Sequence, residues 1–306
     1  MQPFPHLDKR LRVAVIGLGS MGQRYARFFT SLMRQGEDDH PLCPAIYGCD
    51  SREEAFNEQT GWQYLSVEEL VEKVSPTVAV IAVPASEHLK VLRIIRDAAP
   101  DCAVLMEKPL SDHALSDAEV RWCRSLEGVI GVGYNWRLHP FAKHLWTIRE
   151  SISNLTLYVA QDMREWPGQR YGDPLREFSH ELDLVQYLTS DPVLTQSAFE
   201  ADGTGRRIRY VLNGTHQRGN WRVYILPFHQ PSGRWVRVQM TDGAVVFKHW
   251  DQAPDIIEGM YCQQARQLLD AYLHGGSSDD LSCSLDDALH TTRLLDEAER
   301  RCQQQP

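Results

Sequence analysis

Residues 13–22 read VAVIGLGSMG, and the reading of this stretch decides the fold. Val13 to Ile16 make an apolar, β-branched run of strand length that breaks into Gly17-Leu18-Gly19-Ser20-Met21-Gly22. Beyond the turn, Met21, Tyr25, Phe28, Phe29 and Leu32 recur at helical spacing, so the pattern predicts a strand, a glycine turn and a helix. In that setting Gly17 permits the tight turn, Gly19 lets a pyrophosphate approach the backbone, and Gly22 lets helix and strand pack closely. The free N–H groups opening the helix, at Ser20 and Met21, then face an anion, which points to a dinucleotide. A glycine-rich structural turn is the alternative.

The composition narrows the partners. At 306 residues the chain is long enough for two domains, and its 42% hydrophobic content fits a globular fold. A net charge of −9 argues against a nucleic-acid partner, which would call for a basic face. The seven cysteines are scattered without a C-x-x-C pair, so neither a metal site nor a disulfide framework is expected, and reduced thiols in a cytoplasmic setting fit best. No apolar run reaches the ~20 residues of a membrane helix, and no signal peptide is expected.

Outward from the glycine turn, an acidic loop (37–44) leads to a second strand (45–49) closed by Asp50. A carboxylate there suits a ribose 2′-hydroxyl and repels a 2′-phosphate, so NAD is expected over NADP. Ser51 and Arg52 follow directly, and an arginine so placed could hold the phosphate of NADP instead. Asp50 could also simply cap the helix starting at Ser51. Helices over 67–74, 87–98 and 114–126 alternate with apolar strands over 77–83, 103–106 and 129–133, the signature of a doubly wound parallel sheet. After residue 135 the pattern changes. A helix (140–150), a strand (155–161), a helix around His180 and strands over 207–212, 222–225, 235–240 and 244–249 suggest an antiparallel sheet, with two closing helices over 257–273 and from Ser284 to about Arg301. The expected organisation is a dinucleotide-binding domain over 1–135 and a substrate domain over 136–306.

Met106-Glu107-Lys108-Pro109 lies at the carboxyl end of an expected sheet strand, where open α/β folds bind ligands, and a lysine there can reach a reacting oxygen. A solvated surface lysine is the alternative. His180 and Asp183 share a helical face at i, i+3, and an imidazole oriented by a carboxylate can accept a hydroxyl proton near neutral pH. The same spacing also describes a local ion pair.

In order along the chain, GLGSMG, Asp50, VPASEH (83–88), EKP (107–109), GYNWRLHP (133–140) and SHELD (179–183) resemble the Gfo/Idh/MocA oxidoreductases. The resemblance implies an α/β chain: an N-terminal Rossmann doubly wound parallel sheet, then a C-terminal α+β domain with an open, mainly antiparallel sheet that often mediates homodimer or homotetramer contacts. It implies cofactor contacts from Val83, Pro84, His88 and Glu107, with Lys108 near both the nicotinamide and the substrate and the Lys108-Pro109 bond cis. His180 resembles the catalytic histidine and Asp183 its downstream aspartate. Many members carry an aspartate four residues before that histidine; here the position is Arg176, which leaves Glu177 as the stand-in carboxylate. Asn135, Arg137, Arg164, Trp166, Arg170, Tyr171 and Arg176 are expected around the substrate, with an ordinary salt bridge the alternative for each arginine, and the stretch resembles the surface-polysaccharide branch, implying a sugar or nucleotide sugar. The activity so implied is hydride transfer between a nicotinamide cofactor and a secondary alcohol. The alternatives are a redox-neutral epimerase, lyase or glycosidase that retains NAD, and a dinucleotide-binding sensor without turnover.

Overall fold

Strand, glycine turn and helix form as the spacing predicts. In the computed structural model, which describes residues 11–34, 46–55, 62–165, 174–250 and 252–304, Val13–Ile16 is strand β1 and Ser20–Arg34 is helix α1. There follow β2 (Ile46–Cys49), β3 (Trp62–Tyr64), α2 (Val67–Val74), β4 (Val78–Ile81), α3 (His88–Ala98), β5 (Ala103–Met106), α4 (Asp117–Ser125) and β6 (Ile130–Val132). Their strands make one parallel sheet in the order β3-β2-β1-β4-β5-β6. Every residue of β1, β4 and β5 is buried, which is why these strands read as uninterrupted apolar runs. Chain order reverses between β1 and β4, so the carboxyl ends of these neighbours splay their loops apart into a ligand crevice. Helix α2 starts where Ser66 Oγ accepts the Glu69 N–H and stops at Ser75 in the left-handed region.

The second sheet has the order β12-β11-β7-β10-β9-β8, from β7 (Ile152–Asp162), β8 (Val193–Ala201), β9 (Arg207–His216), β10 (Gly219–Leu226), β11 (Phe228–Met240) and β12 (Val245–His249). It is antiparallel except for the β7–β10 pair. Along β7 and β10, Leu155, Leu157, Trp221, Val223 and Ile225 are buried while their neighbours are not, the period-two pattern of a sheet covered on one face. Helix α5 (Pro140–Thr147), the single turn α6 (Pro174–Glu177) and α7 (Ser179–Leu188) accompany it, with α7 packed on β7 and β10. Helices α8 (Pro254–Leu273) and α9 (Leu285–Gln303) close the chain.

The chain divides into two units, and the division is not one cut. The first runs to Ser111 and adds Asp117–Asn135 and Glu258–Asp286; the second comprises Asp112–Ser116, Trp136–Ile257 and the chain from Asp287. The second domain expected over 136–306 thus lends a segment back, because Ala265, Leu268, Leu269 and Ala271 of α8 pack into the core formed by Leu11, Val13, Phe29 and Val129. Strands β3 and β8 had no counterpart in the sequence reading. Among the described residues no helix is long and apolar enough to cross a membrane, and no group of three or more His, Cys, Asp or Glu could hold a metal ion.

Candidate functional site

The site is built first from the glycine turn. Gly17 has φ +86°, and a Cβ there would meet the Ala82 carbonyl oxygen at 2.5 Å; a Cβ on Gly22 would fall 1.8 Å from the Gly17 carbonyl oxygen. These two glycines are demanded by the protein's own backbone. Gly19 is not: among the described residues no atom beyond its own chain neighbours lies within 4 Å of a Cβ placed on it. Gln23 N–H donates to the Gly19 carbonyl at 3.0 Å, so the N–H groups of Ser20, Met21 and Gly22 precede the first full helical bond and aim along the axis of α1. Open space above Gly19 and oriented donors below it fit a pyrophosphate. A Gly19→Val variant should therefore keep its melting temperature yet bind NADH roughly tenfold or more weakly in a fluorescence titration.

Asp50 closes the turn from the side. Its Oδ2 accepts the Leu18 N–H at 2.8 Å, and its Oδ1 accepts the Arg52 N–H at 3.0 Å. The Arg52 side chain reaches back to both oxygens, Nε to Oδ1 at 3.0 Å and Nη2 to Oδ2 at 3.2 Å. Burial pushes the Asp50 carboxyl up, but the Arg52 side chain and the two backbone donors outweigh it and hold the group below its ordinary value. Ser51 stands exposed between the two residues.

At the next strand ends, His88 is 1% exposed, with Nδ1 2.9 Å from the Pro109 carbonyl oxygen and Nε2 2.9 Å from that of Val83. It ties the Val83-Pro84 loop after β4 to the Lys108-Pro109 loop after β5. Both ring nitrogens of His88 thus face backbone carbonyls. The Lys108-Pro109 bond is cis, and Lys108 N–H donates to Glu107 Oε2 at 3.2 Å. Burial pushes the Glu107 carboxyl up. It rests against the Tyr25 hydroxyl, which donates to Gln264 Oε1 at 2.9 Å, while Gln264 Nε2 donates to the Val132 carbonyl. Asn135 is buried in the same unit beside Tyr261. The sequence reading missed Tyr25, Gln264 and Tyr261 as supports for this loop; their only signal was a helical face that served equally as ordinary core.

In the second unit His180 stands in the first turn of α7, 7% exposed. Asp183 is gripped by Arg137, Nε to Oδ2 at 2.9 Å and Nη2 to Oδ1 at 2.8 Å, and accepts the Thr291 hydroxyl. The third Arg137 nitrogen, Nη1, lies 3.1 Å from Asp287 Oδ2. Arg176 is likewise buried and pairs with Asp296 at 2.7 Å and Glu299 at 2.5 Å. A guanidinium taken out of water needs carboxylate partners, and Arg137 and Arg176 both find them within the fold. Asp183 is similarly a buried ion-pair partner. Arg164 pairs with Asp162, and Glu177 is half-buried. Trp166, Arg170 and Tyr171 lie outside the described residues. No sequence signal linked Arg137 or Arg176 to partners so distant in the chain. Nor did any signal link Glu181 to Arg234, whose Nε donates to Glu181 Oε1 at 2.8 Å while its guanidinium lies 4.4 Å over the Trp136 ring.

Comparison with known proteins agrees with the first unit. Residues 11–138 match the model of an oxidoreductase family with an NAD-binding Rossmann fold. No curated protein matches the chain. Among solved structures, a UDP-N-acetylglucosamine 3-dehydrogenase from Acidithiobacillus ferrooxidans is similar at 17% identity and TM-score 0.75, covering 96% of this chain and 98% of that one. A myo-inositol dehydrogenase from Lactobacillus casei, solved with NAD(H) and myo-inositol, is similar at 14% identity and TM-score 0.78, covering 97% and 96%. GenD2 of gentamicin A biosynthesis, solved with NAD, is similar at 18% identity and TM-score 0.76, covering 99% and 97%. At these identities the likeness is one of fold.

Proposed function

We propose, from the match of residues 11–138 to the model of the Gfo/Idh/MocA oxidoreductase family with its NAD-binding Rossmann fold, that the protein is an NAD-dependent dehydrogenase acting on the secondary alcohol of a sugar or sugar derivative. The observation that carries this reading is Lys108, on the loop that leaves β5 at the carboxyl edge of the parallel sheet, two strands from the glycine turn. Bound NAD supplies the hydride acceptor. Lys108 donates a hydrogen bond to the substrate oxygen and stabilises the alkoxide as it forms. In the second unit, His180 accepts the hydroxyl proton. Reduction reverses both roles. Arg137, Arg164 and Arg176 pair with carboxylates of the chain itself, so the reading rests on the polyol part of the substrate, free or as a nucleotide sugar.

The test is to incubate the purified chain with NAD and a panel of inositols, hexoses and UDP-sugars and follow NADH absorbance. Accumulating NADH with one class of polyol supports dehydrogenation. Conversion without net NADH supports the redox-neutral alternative, and tight dinucleotide binding without any conversion supports a sensor.

Two chains pair across the uncovered face of the second sheet in this reading. Tyr158 and Tyr224 stack there at 4.8 Å between centroids, and the edge strand β12 exposes Val245, Val246 and Phe247. Sedimentation should find a dimer or tetramer, and Tyr224→Glu should shift it toward the monomer.

A further inference from the structure

Helix α7 carries His180 but starts without a side-chain cap. Phe178 stands at its N-cap and offers no acceptor, and the buried Ser179 hydroxyl has no hydrogen-bond partner among the described residues. Two buried carboxylates tie the helix down instead. Asp183 is gripped by Arg137, and Glu181, whose side chain is 2% exposed, accepts Arg234 Nε at 2.8 Å. The other Glu181 oxygen is buried with no hydrogen-bond partner among the described residues, so the carboxylate is held there by Arg234. Arg234 is itself fixed. It lies in β11 opposite Val159 of β7, its carbonyl accepts the Trp250 N–H, and its guanidinium rests 4.4 Å over the ring of Trp136, the residue before Arg137.

The two carboxylates leave α7 on nearly opposite sides. At about 100° per residue, Glu181 and Asp183 project about 160° apart, and His180 lies in the arc between them. A roll of the helix about its axis draws one or other carboxylate away from its arginine. We propose that Arg234 is a positioning residue for His180: by holding Glu181 it completes, with Arg137 on Asp183, a two-sided restraint that fixes the roll of α7 and so the direction of the imidazole. This rests on the reading that His180 accepts the hydroxyl proton. A buried ion pair adds little net stability over an apolar pair of the same size, but it is directional. Its loss is therefore read in the placement of the imidazole, where an error of about 1 Å can slow a reaction by about 10²-fold.

The experiment compares the full-length wild type with the double variant Arg234→Met with Glu181→Leu, with Glu181→Gln and with Arg234→Lys. Urea unfolding, kcat and KM on the best polyol of the panel, and NADH affinity are measured on each. The ring C–H signals of His180, assigned by their loss in His180→Ala, are followed by NMR in protein carrying ¹³C-labelled histidine. The double variant removes both charges and should unfold near the wild type, with kcat about 10- to 100-fold lower, KM and NADH affinity within about twofold, and the His180 signals shifted or broadened. Glu181→Gln, uncharged and of the same shape, should lower kcat several-fold and move the same signals. Arg234→Lys keeps a cation on Glu181 and should restore kcat to within about threefold of the wild type. Wild-type kcat in the double variant, or lowered kcat with unmoved His180 signals, overturns the restraint; should the double variant not fold, the same two results in Glu181→Gln overturn it. If His180→Ala turns over like the wild type, the general-base reading fails, and the His180 signals in the Arg234 and Glu181 variants still decide whether Arg234 fixes the imidazole.

Discussion

Replacing His180 with alanine is expected to lower sugar-alcohol turnover by about 10²- to 10⁴-fold, the usual contribution of a positioned general base, and to leave NADH affinity nearly unchanged. The two outcomes separate because His180 belongs to the second unit, while the glycine turn and Asp50 belong to the first. The imidazole stands in the first turn of α7, a helix packed on β7 and β10, so its backbone is held by the sheet beneath it. Steady-state kinetics with the best polyol from the panel, alongside a dinucleotide titration, read both quantities. Unaltered turnover would remove His180 from the mechanism and leave Lys108 as its main polar participant.

The second large effect is on stability. Arg137→Met should destabilise the second unit by about 3–5 kcal/mol, because it leaves the fully buried carboxylate of Asp183 without its bidentate partner. The comparison that isolates the cause is the double variant Arg137→Met with Asp183→Leu, which removes both charges and should recover most of the loss. Urea unfolding of the full-length chain measures all three proteins. A single variant as stable as the wild type would mean that Asp183 is satisfied without Arg137, through Thr291 and the groups around it.

These two predictions differ in how far the sequence could reach them. His180 stands in a short segment whose residue types already suggested chemistry, and the structure adds the helix that carries it. The Arg137 pairing could not be read in advance. Its partners Asp183 and Asp287 are remote in sequence, and an arginine in a loop looks alike whether it meets a substrate or a buried carboxylate. Arg176 and its pairing with Asp296 and Glu299 repeat the case. Local spacing also failed at β3, a three-residue edge strand too short to show a period, and at α8, whose apolar stripe reads the same on either core.

What the sequence determined by itself is the first sheet and its glycine turn. Uninterrupted apolar strands alternating with amphipathic helices leave one economical solution, and Gly22 is fixed by a clash with the Gly17 carbonyl five residues before it. Tertiary structure alone decided where the distant charged side chains went: Arg137 onto Asp183, Arg176 onto the last helix. The reason is range. Hydrophobic periodicity is written along a dozen consecutive residues, whereas an ion pair is settled by whichever opposite charge folding brings within about 3 Å once water is gone.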